Sequence, residues 1–168
     1  MRRLAAVLLM FALSGCGADD VLPAPEAIAS PPPAEQVPHR GVALSCGQTR
    51  VGLPAMPEGL TRAGSFGRLG SLTRPLEVKG VIWRREDEQL YVGVVCGART
   101  AEEFVTLVAR SSLTAYKGMP ALRWNTRTGV RNFMWLERPG TAIYIAATPG
   151  LAAQIKYVAA RVALNQAP

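Results

Sequence analysis

Alternating and continuous apolar runs in the second half of the chain predict two β-hairpins. A charged turn at 85–89 joins the strands of the first hairpin. Pro139 and Gly140 join those of the second, and they suit the two central positions of a type II turn. A fifth strand is expected nearer the N-terminus. The predicted strands cover 42–48, 79–84, 90–96, 131–137 and 142–148.

Each hairpin is followed by an amphipathic segment that is predicted to be helical. The first begins with Thr100 and Glu103, spaced as a capping box, and is expected to end before Gly118. The second begins at Thr148, with Pro149 at the first helical position. The apolar positions recur with the spacing of one helix face. They are Phe104, Leu107, Val108 and Ser111 in the first segment, and Leu151, Ile155, Val158, Ala159 and Val162 in the second.

The two hairpin-and-helix segments resemble each other as an internal repeat, one starting at Val81 and the other at Phe133. They predict an α+β fold: an antiparallel sheet of four or five strands with two helices packed on one face, built from two ββα units. A single globular domain at 41–168 is expected to hold them. The segment 51–75 contains five glycines and three prolines. It is either a functional loop or an undetected strand, because structureless loops of this length are uncommon in compact domains.

The N-terminus, MRRLAAVLLMFALSGC, is an apolar segment preceded by two arginines and ending in a cysteine. Its apolar run is far shorter than the roughly 20 residues of a transmembrane helix, and it fits a secretory signal. The final residues, Leu13 to Cys16, resemble the lipobox of bacterial lipoproteins. The resemblance implies that residues 1–15 are removed as a signal peptide. It also implies that Cys16 carries diacylglycerol on its sulfur and an acyl chain on its new amine.

The same resemblance implies a location in the cell envelope. Gly17, rather than aspartate, follows Cys16, which in lipoproteins of enteric-type bacteria implies the inner leaflet of the outer membrane, facing the periplasm. A high-GC Gram-positive host and an ordinary cleaved signal are the alternatives. Residues 16–40 form the lipidated N-terminus and a proline-rich tether. At about 3.1 Å per residue in polyproline form, this tether could extend by up to roughly 70 Å.

Charge indicates what the protein binds. From residue 41 onward the chain carries 16 Lys and Arg against eight Asp and Glu, a net charge of +8. Such a surface favours anionic partners. The expected partners are the membrane, through the acyl chains, and an envelope protein or an anionic glycan or lipid; nucleic acid is not expected. Solvated arginines without a binding role are the alternative, and the basic run Arg123, Arg127 and Arg131 around Trp124 can be read either way.

Two cysteines, Cys46 and Cys96, remain after lipidation of Cys16. Compartments outside the cytosol oxidise thiols, so we predict a disulfide between these two cysteines. Two buried free thiols are the alternative. No C-x-x-C spacing indicates a redox catalyst.

Residue types suited to catalysis are scarce. His39 is the one histidine, and it lies in the tether, so neither nucleophile–histidine catalysis nor most zinc sites fit the domain. Asp87 lies in a predicted acidic turn, and Glu102 and Glu103 occupy a helix start, where negative charge is stabilising. We predict no catalytic residues, no metal site and no cofactor, hence a protein that is not an enzyme. A glutamate-based hydrolase, with two carboxyl groups converging in a pocket, is a weak alternative.

Aromatic residues in both hairpins predict a binding face. Side chains alternate along a strand, so Phe133 and Trp135 share a face, and the proline-glycine turn pairs Trp135 with Tyr144. A three-residue turn would pair Trp83 with Tyr91, whereas an even-length turn would place them on opposite faces. A covering loop or strand, which would make these aromatics a second core, is the alternative. The candidate residues of this face are Trp83, Tyr91, Arg131, Phe133, Trp135 and Tyr144.

These observations predict a non-catalytic envelope lipoprotein that binds a partner and serves in assembly, secretion or envelope maintenance. A second hypothesis is an inhibitor or immunity lipoprotein that blocks an incoming enzyme or toxin. Such a protein needs a protruding anchor side chain in a loop, and Phe66 in the glycine-rich segment is the candidate.

Overall fold

A computed structural model describes residues 41–165 of the chain. The signal peptide, Cys16 and the tether, all predicted within 1–40, lie outside the described residues. The fold is broadly α+β and mainly β, with two short helices. The strands are β1 Ala43–Cys46, β2 Thr49–Gly52, β3 Thr61–Phe66, β4 Glu77–Arg85, β5 Glu88–Cys96, β6 Ser112–Tyr116, β7 Met119–Asn125, β8 Arg131–Arg138, β9 Thr141–Ala147 and β10 Ala163–Asn165, and the helices are α1 Ala101–Val105 and α2 Gln154–Arg161.

The strands form two antiparallel sheets. The larger has seven strands in the order β3-β4-β5-β9-β8-β7-β6, and the smaller has three in the order β1-β2-β10. The large sheet therefore consists of two meanders, β3 to β5 and β6 to β9, joined where β5 pairs with β9. The expected four or five strands and two ββα units do not match this arrangement. The glycine-rich segment does contain a strand, β3.

Successive side chains of the central strands enter two apolar clusters, one on each face of the large sheet. In β8, Phe133 and Trp135 belong to one cluster and Met134 to the other. We call these the Phe133 face and the Met134 face. The small sheet and α2 cover the Phe133 face, whereas α1 and the segment 67–76 cover the Met134 face. All seven residues of β9 are buried, so both faces need a cover, and the expectation that both helices pack on one face is wrong.

The first helix begins as predicted but is much shorter. Thr100 Oγ1 accepts a hydrogen bond from the Glu103 N–H at 3.2 Å, and the Glu103 carboxylate accepts one from the Arg99 N–H at 2.8 Å. Helix α1 ends at Val105, and residues 112–116, expected to continue it, form β6 instead and pair with β7. Lys117 and Gly118 make the tight turn between these strands, both with positive φ, 51° and 76°.

The second helix begins with one turn of 3₁₀ helix, Pro149–Leu151, before α2. Thr148 makes no capping bond to this turn. Its hydroxyl is hydrogen-bonded to the Glu88 carboxylate, which also accepts the Gly150 N–H at 3.0 Å. A carboxylate from β5 therefore takes the capping role predicted for Thr148. Between residues 41 and 165, no helix is long and apolar enough to cross a bilayer.

The predicted disulfide between Cys46 and Cys96 is confirmed. It joins β1 of the small sheet to the last residue of β5, with Cα atoms 5.4 Å apart and 50 residues of sequence separation. Cys46 is 7% exposed and packs in the cluster on the Phe133 face. The bond therefore fastens the small sheet over this face.

Candidate binding groove

The predicted aromatic face is not formed as expected, because the aromatic side chains divide between the two faces of the sheet. Trp83, Phe133 and Trp135 pack in the cluster on the Phe133 face, whereas Tyr144 belongs to the other cluster and Tyr91 packs against it. In the second hairpin a register shift between Leu136 and Arg138 precedes the turn, so Trp135 pairs with Ile143 instead of Tyr144.

In the first hairpin the turn has two residues, Glu86 and Asp87, and Trp83 therefore pairs with Leu90. This is the even-length alternative. Of the six candidate residues, Tyr91 is half-buried and Arg131 exposed, and the other four are buried. The small sheet and the segment 67–76 supply the cover that the alternative interpretation required.

Tyr144 has a structural environment on the Met134 face. Its hydroxyl donates to the Asn132 side-chain oxygen at 2.7 Å, and the Asn132 amide donates to the Val130 carbonyl at 2.9 Å. Burial, with a smaller contribution from nearby Tyr91, raises the pKa of Tyr144 far above its ordinary value. The phenol therefore stays neutral and keeps its hydrogen bond, as expected of a satisfied buried group.

Phe66 is not the protruding anchor that an inhibitor would need. It is the last residue of β3, is half-buried, and packs edge-on against Tyr91 and Tyr144 with ring centroids 6.0 Å apart in each case. Its ring covers Gly80 and Gly93, which face each other on β4 and β5. Phe66 therefore fills the space above a glycine pair and belongs to the packing of the sheet.

A groove of about 790 Å³ lies on the Phe133 face between α2 and the strands β6, β7 and β8. From the sheet side, Tyr116 and Phe133 line it, with ring centroids 5.3 Å apart in an edge-on arrangement. From the helix side it is lined by Ile155 and by alanines 152, 159 and 160. Short alanine side chains leave room between the helix and the sheet, so the groove has an apolar, partly aromatic floor.

Four exposed cations line this groove: Arg110, Arg123, Arg131 and Lys156. No carboxylate belongs to the lining that residues 41–165 provide. The ion pairs in the described part of the chain, Arg74 with Glu103 and Lys79 with Glu77, lie elsewhere. We call this site the cationic groove. Its four cations have no acidic partner among the described residues, so within 41–165 they remain available to an anion.

One contact and one pKa shift describe the environment of the groove side chains. The Arg123 guanidinium lies 5.2 Å from the centroid of the Phe133 ring, within the distance of a cation–π contact. Burial, and to a lesser extent the Glu137 carboxylate, raises the pKa of Tyr116. Glu137 itself accepts a hydrogen bond from the Trp135 indole N–H and is not part of the lining. Tyr116 is therefore a neutral hydroxyl beside the cations.

A second cavity of about 610 Å³ opens on the Met134 face, where the segment following β3 meets the turn after β7. Arg68 and Arg127 line it together with Tyr144 and Asn132. Trp124 also lines it, and its buried indole N–H has no hydrogen-bond partner among the described residues. The basic run singled out in the sequence is thus divided: Arg123 and Arg131 line the cationic groove, and Arg127 lines this cavity.

The glutamates of the described residues do not converge in these two cavities. Within residues 41–165, no carboxylate lines either of them, and no group of three His, Cys, Asp or Glu could hold a metal ion. No family model, curated protein or solved structure matches the chain. The function therefore has to be inferred from the chemistry of the groove residues.

Proposed function

We propose that the protein is a non-catalytic envelope lipoprotein whose domain binds an anionic partner in the cationic groove. In this proposal the acyl chains on Cys16 hold it in the inner leaflet of the outer membrane, and the tether carries the domain into the periplasm. The single observation that carries the binding role is the set of four cations, without an acidic partner in residues 41–165, around an apolar, aromatic floor. The Cys46–Cys96 disulfide supports a location outside the cytosol.

The groove suits an anion that also has an apolar part. Hydrogen bonds from arginine to a carboxylate or phosphate are stronger than neutral ones. The aromatic and alanine surfaces next to the cations favour burial of apolar groups. A long-range positive field would steer such a partner toward the groove and make its association sensitive to salt. Assembly, secretion or envelope maintenance are the processes that such a tethered binding domain would serve.

Removing two groove cations is expected to weaken binding. We expect Arg123→Gln with Arg131→Gln to lower affinity for an anionic partner by about tenfold or more, since each charge-assisted hydrogen bond contributes about 1.5 kcal/mol or more. The matched control is Arg50→Gln with Arg84→Gln, which removes two exposed arginines outside the groove. Binding of the lipidated full chain, in neutral detergent, is measured to peptidoglycan sacculi, short-chain phosphatidylglycerol and an acidic peptide of alternating Glu and Val.

Salt provides a second readout for the same variants. Wild-type binding should fall steeply between low and high ionic strength, and the groove variant should lose most of this dependence while the control keeps it. Equal affinity of the groove and control variants for every probe would contradict the proposed function. Folding of each variant is checked by its thermal unfolding, because exposed arginines contribute little to stability.

The anchor is tested separately. We expect Cys16→Ser to leave the protein either uncleaved or free of the membrane fraction, because serine offers no sulfur for the thioether to diacylglycerol. More than one acyl chain is needed for stable anchoring. Membrane fractionation, with mass spectrometry of the mature amino terminus, measures the result. Unchanged membrane association of the variant, or a wild-type terminus without acyl chains, would contradict the proposed location.

A further inference from the structure

Strand β6 is an edge of the large sheet that no other strand of residues 41–165 covers. The other edge strand, β3, has a register shift between Arg62 and Gly64, and bulges of this kind discourage further pairing. In contrast, β6 pairs with β7 through five consecutive residues without a shift. Its sequence, SLTAY, has neither proline nor charge, and Leu113 in it is 62% exposed. Of the two edges, β6 is therefore the one able to accept another strand.

The hairpin geometry identifies which backbone groups of β6 face outward. Because the turn between β6 and β7 has two residues, the flanking pair Tyr116 and Met119 exchanges both hydrogen bonds. The hydrogen-bonded pairs alternate, so Thr114 bonds to β7, whereas Leu113 and Ala115 direct their N–H and C=O groups away from it. Ala115 pairs with Pro120, which has no N–H to donate. An added strand would bond to Leu113 and Ala115.

The edge strand is also a wall of the cationic groove. Ser112 and Tyr116 line the groove, and with Thr114 between them they lie on one face of β6. Leu113 and Ala115 lie on the other face. An added strand would alternate in the same way, placing every second side chain beside the groove cations and the remaining ones beside exposed Leu113.

Charge determines which kind of strand fits. Arg110 precedes β6, Lys117 follows it, and Arg123 lies opposite Ser112 on β7. A second copy of the chain would bring the same cations against this edge, and the like charges would repel each other. We propose that β6 binds an extended segment of a partner protein in which acidic residues alternate with apolar ones. This inference rests on the proposed function, since it identifies the anionic occupant of the cationic groove as an acidic β-strand.

Peptides of matched composition test the alternation. The probe is an acetylated, amidated, fluorescently labelled peptide of four Glu-Val repeats, and the control has the same residues ordered as Glu-Glu-Val-Val. We expect the full lipidated chain in neutral detergent to bind the alternating peptide at least tenfold more tightly, as measured by fluorescence anisotropy. Equal affinity for the two peptides would overturn the inference.

Backbone pairing is tested from both sides. Ala115→Pro removes an outward N–H at a solvent-facing edge position, where proline is tolerated, and it should weaken peptide binding at least tenfold. Ala115→Val keeps this N–H and should bind like wild type. N-methylating all valines, or all glutamates, blocks the backbone N–H groups along one edge of the extended peptide. Only one of these two methylated peptides should lose binding, because the peptide pairs with β6 through one edge. This readout holds even if the proline variant unfolds.

The outcomes separate this inference from the proposed function. Loss of binding on Ala115→Pro, with loss on neutralising Arg123 and Arg131, supports both. If the proline variant and both N-methylated peptides bind normally while the arginine variant does not, the strand inference fails and the groove function stands. Groove-dependent binding of sacculi or phosphatidylglycerol, without binding of the alternating peptide, also overturns the inference.

Discussion

Replacing Cys46 and Cys96 together by serine is expected to lower the free energy of unfolding by about 4 kcal/mol. The disulfide closes a loop of 50 residues, and on the chain-entropy model a loop of this length stabilises the folded state by about that amount. The same bond holds β1, and with it the small sheet, on β5. Urea unfolding of the full chain at neutral pH, followed by tryptophan fluorescence, measures the loss.

Reduction of the wild type is the matched control for this variant. Wild-type protein in excess reductant should unfold at the urea concentration of the serine variant, whereas the oxidised wild type should need considerably more. Reductant should leave the variant unchanged, since its remaining cysteine is the one predicted to be lipidated. A serine variant as stable as the oxidised wild type would contradict the expected contribution of the bond.

A single methyl group at Gly93 is expected to destabilise the protein by about 1–3 kcal/mol, the usual range for overpacking. A Cβ atom there would lie 2.9 Å from the Lys79 carbonyl oxygen, 2.9 Å from Phe66 Cζ and 3.2 Å from the Gly80 Cα. The Phe66 ring has some freedom to move, but the other two atoms belong to the backbone of β4. Gly93→Ala therefore forces the β4–β5 ladder apart, and thermal or urea unfolding should show it.

Gly70→Ala is the matched control for this prediction, because a Cβ atom at Gly70 would have no neighbour within 4 Å and the residue is exposed. It should change the free energy of unfolding by less than about 0.5 kcal/mol. Adding Phe66→Leu to Gly93→Ala should relieve only part of the loss, since the contact with the Lys79 carbonyl remains. Equal stability of the two alanine variants would show that the glycine pair is not close-packed.

The hairpins of 77–96 and 131–147 could be predicted because each has long apolar runs on both sides of a turn signal. The disulfide followed from the number of cysteines and the expected compartment. Helix α1 was predicted too long because the spacing of apolar residues after Val105 fits a helix as well as a strand. The hairpin depends on a turn at Lys117 and Gly118, both with positive φ, and the apolar pattern does not report backbone angles.

Side-chain placement was harder to predict than the strands themselves. One extra residue between Leu136 and Arg138 gives Trp135 the partner Ile143 instead of Tyr144. A register shift of one residue exchanges the faces on which the paired strand's side chains lie. The cationic groove was predicted only in part. Arg123 and Arg131 lie in one basic run of the sequence, whereas Arg110 and Lys156 come from distant segments and join them only through the fold.

The joint between the two meanders has a consequence for how fast the chain reaches its native state. Within each meander the paired strands are neighbours in sequence, but β5 and β9 pair Cys96 with Thr141 and Leu90 with Ala147. Closing such distant pairs is slow compared with forming hairpins, since rates fall as contact order rises. The β2–β10 ladder joins still more distant residues, Gly52 with Ala163. If the chain is exported unfolded, as the proposed function requires, these two ladders prolong the interval during which its apolar strands stay open to aggregation or to a chaperone.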